Sequence, residues 1–293
     1  MTIMGYGQHQ SFYIRTQWIS KIIRAIHEDE RFFYQKDAFE KIGLGKNMVK
    51  SLQYWVVATG LAVDKMNEER KKIYELTEFA KIIYKYDRFI RYNDSSSIMQ
   101  YFIASEKEPS STWYWFFNEY NERVTTQEQM LDALINWVNT NEKKSVSSNS
   151  IKKDIDCLIK LYTVGKTKFD DPEEVKESPL HVLNLLSLND EFIIKEEPEI
   201  EDLGLTGLYY TLLDYANKHE LTNLTVDEIE QSTGMIGKVF NLKRNKIIDL
   251  LNQLTLHPQY PIKFTRTNRL DSIQLPNIDA NDLLRFEYEK RKF

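Results

Sequence analysis

Six side chains between Lys46 and Tyr54 are of the types that recognise nucleic acid. Stepped at 100° per residue, the segment Lys46–Thr59 gathers Met48, Val49, Leu52, Trp55 and Val56 on one arc of a helix. The opposite face carries Lys46, Asn47, Lys50, Ser51, Gln53 and Tyr54, and no acid. Lysine suits phosphate or guanine, Asn and Gln can pair with adenine edges, and Ser and Tyr bond phosphate oxygens. The start of the helix adds free N–H groups and positive dipole potential. An ordinary solvated face is also polar; this one lacks acid and follows directly on the turn Gly43-Leu44-Gly45. A charged ribbon tip comes next, Lys65–Lys72. There Arg70, Lys71 and Lys72 could reach the minor groove or flanking phosphates, while Glu68 and Glu69 oppose it.

A second basic cluster lies near the C-terminus: Lys243, Arg244, Lys246, Lys263, Arg266 and Arg269. Its helix, Lys243–Leu254, points Asn245, Lys246, Asp249, Asn252 and Gln253 outward, and Asp249 would repel phosphate. That surface suits a protein partner as well as DNA. The stretch Gly7–Trp18 is rich in hydrogen-bonding side chains and reads as a cap network or as a small site around His9 and Arg15. Enzyme signals are absent. No phosphate-binding loop, nucleophile elbow or zinc-protease motif occurs, and histidines 9, 27, 181, 219 and 257 lack ligand spacing. The single Cys157 reads as a half-buried helix residue. The expectation is no catalytic residue, no metal and no cofactor.

The elements that would position these groups are mostly helices. With 10 Gly and 7 Pro in 293 residues, turns are too scarce for a strand-rich architecture. Trp18–Ile26 has helical apolar spacing, Tyr34–Lys41 is a short helix ending at Gly43, and Lys46–Thr59 stops at Gly60. Leu61–Asp64 and Ile73–Leu76 are extended, and Thr77 caps Glu78–Tyr86. Ile98–Ser105 and the block Trp113–Phe117 read as buried helices, since five consecutive aromatics cannot all face solvent. Thr126–Asn139 and Ile151–Tyr162, the latter capped by Ser150, form a second pair of helices. Leu180–Leu188 reads as an apolar helix and Glu191–Lys195 as a strand. Leu208–Asn217 is a helix, and Thr225 with Glu228 makes a capping box for Val226–Thr233. Lys243–Leu254 follows, then a hairpin of Pro261–Arg266 and Leu270–Leu275 around Thr267-Asn268-Arg269, and a last helix, Asp279–Tyr288.

Helix, short helix, turn, helix, ribbon is the order of a winged helix-turn-helix, and it occurs at both ends. The expected fold is mostly α with small β-wings: tandem winged helix-turn-helix domains, 1–92 and 179–293, joined by a helical middle region, 93–178. Charge is segregated along these three parts. Residues 1–92 hold 16 Lys+Arg against 11 Asp+Glu, 93–202 hold 11 against 22, and 203–293 hold 12 against 11. Most of the acid lies in Asp170–Asp202, a solvated linker or a face for a basic partner. No apolar run approaches a membrane span, and the polar N-terminus has no secretion signal, so a cytoplasmic protein is expected.

Three stretches carry a resemblance: Gly7–Lys21 (GQHQSFYIRTQWISK), Leu44–Ala62 (LGKNMVKSLQYWVVATGLA) and Gly234–Leu251 (GMIGKVFNLKRNKIIDLL). The chain resembles, over roughly Gly7 to Tyr288, an uncharacterised bacterial and archaeal family of this length. Members of that family occur beside phosphoadenosine-phosphosulfate-reductase-like proteins in phage-defence and DNA sulfur-modification gene clusters. The resemblance implies a role in modifying, sensing or defending DNA, and it carries over no catalytic residue. The expected protein is a non-enzymatic DNA-binding or targeting subunit whose partners are duplex DNA and other proteins of such a system. The alternative is a protein–protein scaffold with little DNA contact. Nothing in the sequence sets an oligomeric state.

Overall fold

Trp18, Ile19, Ile22, Ile23 and Ile26 fall on one face of α1 (Thr16–Glu28) and are buried, which seats that helix across the back of the first unit. In the computed structural model, which describes residues 5–163, 177–266 and 270–291, the chain is mostly helical with small two- and three-stranded antiparallel sheets. After α1 come a 3-10 turn (Phe32–Tyr34), α2 (Ala38–Ile42) and α3 (Lys46–Ala58). Gly43 takes a left-handed φ of 69°, which a side chain would disfavour, and so ends α2 and redirects the chain into α3. Strands β1 (Ala62–Met66) and β2 (Lys72–Leu76) pair in register from Ala62↔Leu76 to Met66↔Lys72. A backbone bond from Tyr74 N to Glu30 O (2.9 Å) ties the loop after α1 to β2. Thr77 caps α4 (Glu78–Tyr86) as expected, accepting from Ala80 N at 3.1 Å.

α5 (Asn93–Ser105) is buried on almost every side despite its Asp, Ser and Gln residues, and several of its polar groups bond to different parts of the chain. Asp94 accepts from Gly207 N (2.8 Å) and Arg291 (2.6 Å). Ser95 donates to Asp87 (2.7 Å), and Ser97 to Leu203 O (2.6 Å). Gln100 donates to Val239 O (2.9 Å) and accepts from Tyr162 (2.5 Å). Because an unmet buried polar group costs about 1–3 kcal/mol, these bonds fix α5 in one register against its neighbours. Gly207 lets the next long helix approach: a Cβ there would stand 2.8 Å from Asp94 O. α6 (Ser111–Tyr114) runs into a π-turn, Trp115–Glu119, with Trp113, Trp115, Phe116 and Phe117 buried, so the aromatic block is core.

The next unit begins with β3 (Val124–Thr126), α7 (Gln127–Asn141) and α8 (Ser148–Thr163). Thr126 and Gln129 form a full capping box on α7, a motif of about 1 kcal/mol. α8 starts before the expected Ser150, with Ser147 Oγ accepting from Ser150 N at 3.2 Å. Leu180–Leu188 is not the helix its apolar run suggested. His181–Leu183 is a 3-10 turn, Asn184 adopts a φ of 51°, and β4 (Leu186–Asn189) then pairs with β5 (Phe192–Lys195) around Asp190, itself at φ 53°. β3 adds to the other edge of β5, giving the order β3-β5-β4, so this sheet crosses the expected boundary at residue 178.

α9 (Ile200–Leu203) and α10 (Leu205–Lys218) lead into the last unit: β6 (Asn223–Thr225), α11 (Val226–Gln231), α12 (Ile236–Val239), α13 (Arg244–Leu254), β7 (Lys263–Arg266) and β8 (Asp271–Gln274). Thr225 and Glu228 make the anticipated capping box. The sheet order is β6-β8-β7. The last two units thus share one connectivity, a strand, helices and a hairpin whose second strand pairs with the first. α14 (Ala280–Lys290) closes the chain and sends Tyr288 to Ser95 of α5 at 2.8 Å. Arg269, the turn around it, and residues 164–176, which include the start of the acidic stretch, lie outside the described residues.

Candidate nucleic-acid interface

α3 offers a narrower polar face than its sequence suggested. Lys46, Asn47 and Lys50 are exposed. Gly45 caps the helix with no side chain, so first-turn N–H groups stay available to an anion, and no acid occupies the first turn. Lys46 lies over the Phe39 ring at 4.8 Å. Ser51 and Tyr54, expected to face outward, are instead buried, at 0% and 8% exposure. Ser51 donates to Phe12 O (3.1 Å), which also receives Trp55 Nε1 (2.8 Å), and Tyr54 donates to Ser110 (3.2 Å). Burial pushes the Tyr54 hydroxyl well above the usual tyrosine value. The reason is a second packing surface: the N-terminal segment and the start of α6 cover the flank of α3 that periodicity leaves polar. Ser51 and Tyr54 therefore position the helix, and Tyr54 keeps only an edge in the groove described next.

Gln53 is half-buried and donates to Tyr74 on β2 at 2.7 Å. With Lys50, Lys72, Tyr74, Asp64 and Glu108 it lines a groove of about 480 Å³ between α3 and the ribbon. Lys50, Gln53 and Lys72 are thus brought together, beside two carboxylates that the helix face alone did not reveal. The ribbon lysines are largely neutralised: Lys65 pairs with Glu75, Lys71 with Glu69 at 2.6 Å, and Lys72 with Asp64 at 2.5 Å. Arg70, exposed at the tip with φ 57°, has no ion-pair partner among the described residues.

The N-terminal stretch does not cap α1, whose N-cap Arg15 makes no side-chain cap bond; it is anchored to α8 instead. Asp154 on α8 accepts from Gly7 N (2.7 Å), faces His9 Nε2 (2.7 Å) and accepts from Thr112 (2.8 Å), and both His9 and Asp154 are fully buried. A buried carboxylate held by three partners locks the segment that in turn clamps Ser51 and Trp55. Sequence reasoning missed Asp154 because its partners lie 42, 145 and 147 residues away.

The C-terminal cluster meets different surroundings. Lys243 N donates to Glu197 (2.9 Å), and Arg244 N to Glu230 (3.1 Å), so carboxylates occupy the N–H groups at the start of α13. Lys243 also pairs with Glu197 at 3.7 Å. Arg244 pairs with Asp227 and, at 3.4 Å, with Asp271. Lys246 pairs with Glu199 (2.8 Å) and donates to Pro198 O (2.8 Å). Glu197-Pro198-Glu199 follows β5, so the acidic stretch folds onto this basic one. Lys243, Arg244 and Lys246, expected as an open second surface, are engaged within the chain. Lys263 and Arg266 remain exposed on β7, Arg266 over the Phe264 ring at 5.0 Å. Among the described residues no group of three or more His, Cys, Asp or Glu is arranged to hold a metal, and no helix is long and apolar enough to cross a membrane.

These helical units around a polar, buried α5 define the class of the chain, and its sequence gives the family. Residues 6–288 match the proteins of unknown function DUF4007, and the chain belongs to that family. It is similar to a crystal structure of magnesium-ion-bound SspB at a TM-score of 0.88 and 20% identity, covering 99% of this chain and 89% of that one. A second SspB crystal structure matches at a TM-score of 0.85 and 18% identity, covering 99% and 88%. At such identities the likeness is one of fold. No curated protein matches the chain.

Proposed function

We propose that this protein is a DNA-binding targeting or regulatory subunit of a DNA-modification or phage-defence system, and that its units are winged helix-turn-helix modules of which the first contacts duplex DNA. One observation carries the reading: the amino end of α3 is open, acid-free and uncapped, with Lys46, Asn47 and Lys50 exposed on it. The strand–helices–hairpin connectivity of the later units supports the module assignment, and the gene neighbourhoods that the family resemblance implies support the system. The proposed role is non-enzymatic; cleavage of a duplex by the purified chain with a divalent cation would contradict that part.

The test is a salt titration of duplex binding. Each phosphate neutralised by lysine contributes about 0.9 to the fall of log K with log salt. Lys46→Ala with Lys50→Ala should lower that slope by about two, and an unchanged slope would remove α3 from the interface. A scaffold reading is favoured by one feature, the self-satisfied basic cluster on α13. It predicts no duplex binding at low salt.

A further inference from the structure

The part of the chain from 93 to 202 holds 22 acids against 11 bases. Five of those bases, Lys143, Lys144, Lys152, Lys153 and Lys160, nevertheless fall on α8 and the loop leading into it. All five are exposed, and among the described residues none has an ion-pair partner. Elsewhere in that part of the chain, Lys107 is paired with Glu142 and the half-buried Lys195 donates to backbone carbonyls. On α8 itself Ile151, Ile155, Leu158, Leu161 and Tyr162 face inward, while Lys152, Lys153 and Lys160 share the outward arc. Of the two acids on the helix, Asp154 is buried with His9, and Asp156 accepts from the Gln127 side chain. Glu128 shares a shallow groove of about 360 Å³ with Lys152, so Lys153, Lys160 and the loop lysines have the clearer approach.

Position adds to charge. Among the described residues α8 is the last α-helix before its hairpin, as α13 is in the last unit, and the two sheets have the same strand order. We infer that the outward face of α8, with Lys143 and Lys144 at its start, is a second docking surface for the phosphate backbone of duplex DNA. Lys152 to Lys160 spans about 12 Å along the helix, a length over which duplex DNA presents about seven phosphates. Lysines are compact, strongly hydrated charges, suited to backbone contact more than to reading bases. The inference rests on the duplex-binding reading above and extends it to a site on a different unit.

The experiment uses the full chain and two duplexes of unrelated sequence. Lys152→Gln, Lys153→Gln and Lys160→Gln together should lower the salt slope by two to three, about 0.9 per lysine, equally on both duplexes. The corresponding three Lys→Arg changes should keep the slope. If the wild-type chain binds and the Gln variant retains its slope, this inference is overturned while the α3 reading stands, and an acidic protein becomes the partner to seek. If the wild-type chain binds neither duplex at about 50 mM salt, the duplex reading fails and this site fails with it.

Discussion

α3 and α13 stand at the same place in their units, before a β-hairpin, and each begins with basic residues. Their surroundings differ. The first turn of α3 keeps its N–H groups and lysines open, because the neighbouring segments bond to its later residues, Ser51, Tyr54 and Trp55. The first turn of α13 is filled by Glu197, Glu199, Asp227 and Glu230. The lesson is that a basic helix start is only an anion site when the rest of the chain supplies no carboxylates to it. Ordinary surface ion pairs are worth little each, but here they converge on one helix end and on its dipole.

The largest effect should come from breaking what holds α3 in place. Trp55 is fully buried and bonded to Phe12 O, so Trp55→Ala is expected to cost about 3–5 kcal/mol in denaturant unfolding. Next in size is a pH dependence on the other side of the comparison, at the strand end from which the acidic plug hangs. Lys195 donates to Phe116 O and Tyr120 O, both at 2.5 Å, and burial lowers its value from 10.5 to about 7. Between those values the unfolded chain holds a proton that the folded one does not. Stability should therefore rise with pH from about 7, by up to about 1.4 kcal/mol per unit. The rise should end near pH 10, where the buried tyrosines Tyr54, Tyr101 and Tyr162, with raised values, begin to oppose it. Urea midpoints at pH 7 and 9.5 would read this, and Lys195→Met should flatten the profile.

Opening the plug should have a smaller, opposite effect on binding. Glu197→Gln with Glu199→Gln frees Lys243 and Lys246, and the salt slope of duplex binding should steepen by up to about two. No change would mean that the α13 end has no access to DNA even when unpaired. Least of all should come from the ribbon: Lys71→Ala removes an exposed pair with Glu69 and should alter stability by no more than about 0.5 kcal/mol.

What could be read from the sequence follows how far each interaction reaches. Thr77, Thr126 with Gln129, and Thr225 with Glu228 bond within one turn, so their caps were visible as residue patterns. The strands of the first and last ribbons were visible because polar or glycine-bearing turns bound them. Leu180–Leu188 was misassigned because a short apolar run is as compatible with a buried strand as with a helix, and β5 decides between them. The site was half legible. Lys46, Asn47 and Lys50 are where periodicity puts them, whereas Ser51 and Tyr54 answer to Phe12 and Ser110, 39 and 56 residues away. The plug joins Glu197 to Lys243 across 46 residues, and no local pattern announces it.

The contrast between the two helix ends is tested most directly by measuring salt slopes for two matched variants of the full chain. Lys46→Gln with Lys50→Gln should lower the wild-type slope by about two, and Lys243→Gln with Lys246→Gln should leave it unchanged. The reverse pattern, with the α13 variant lowering the slope and the α3 variant not, would contradict the account.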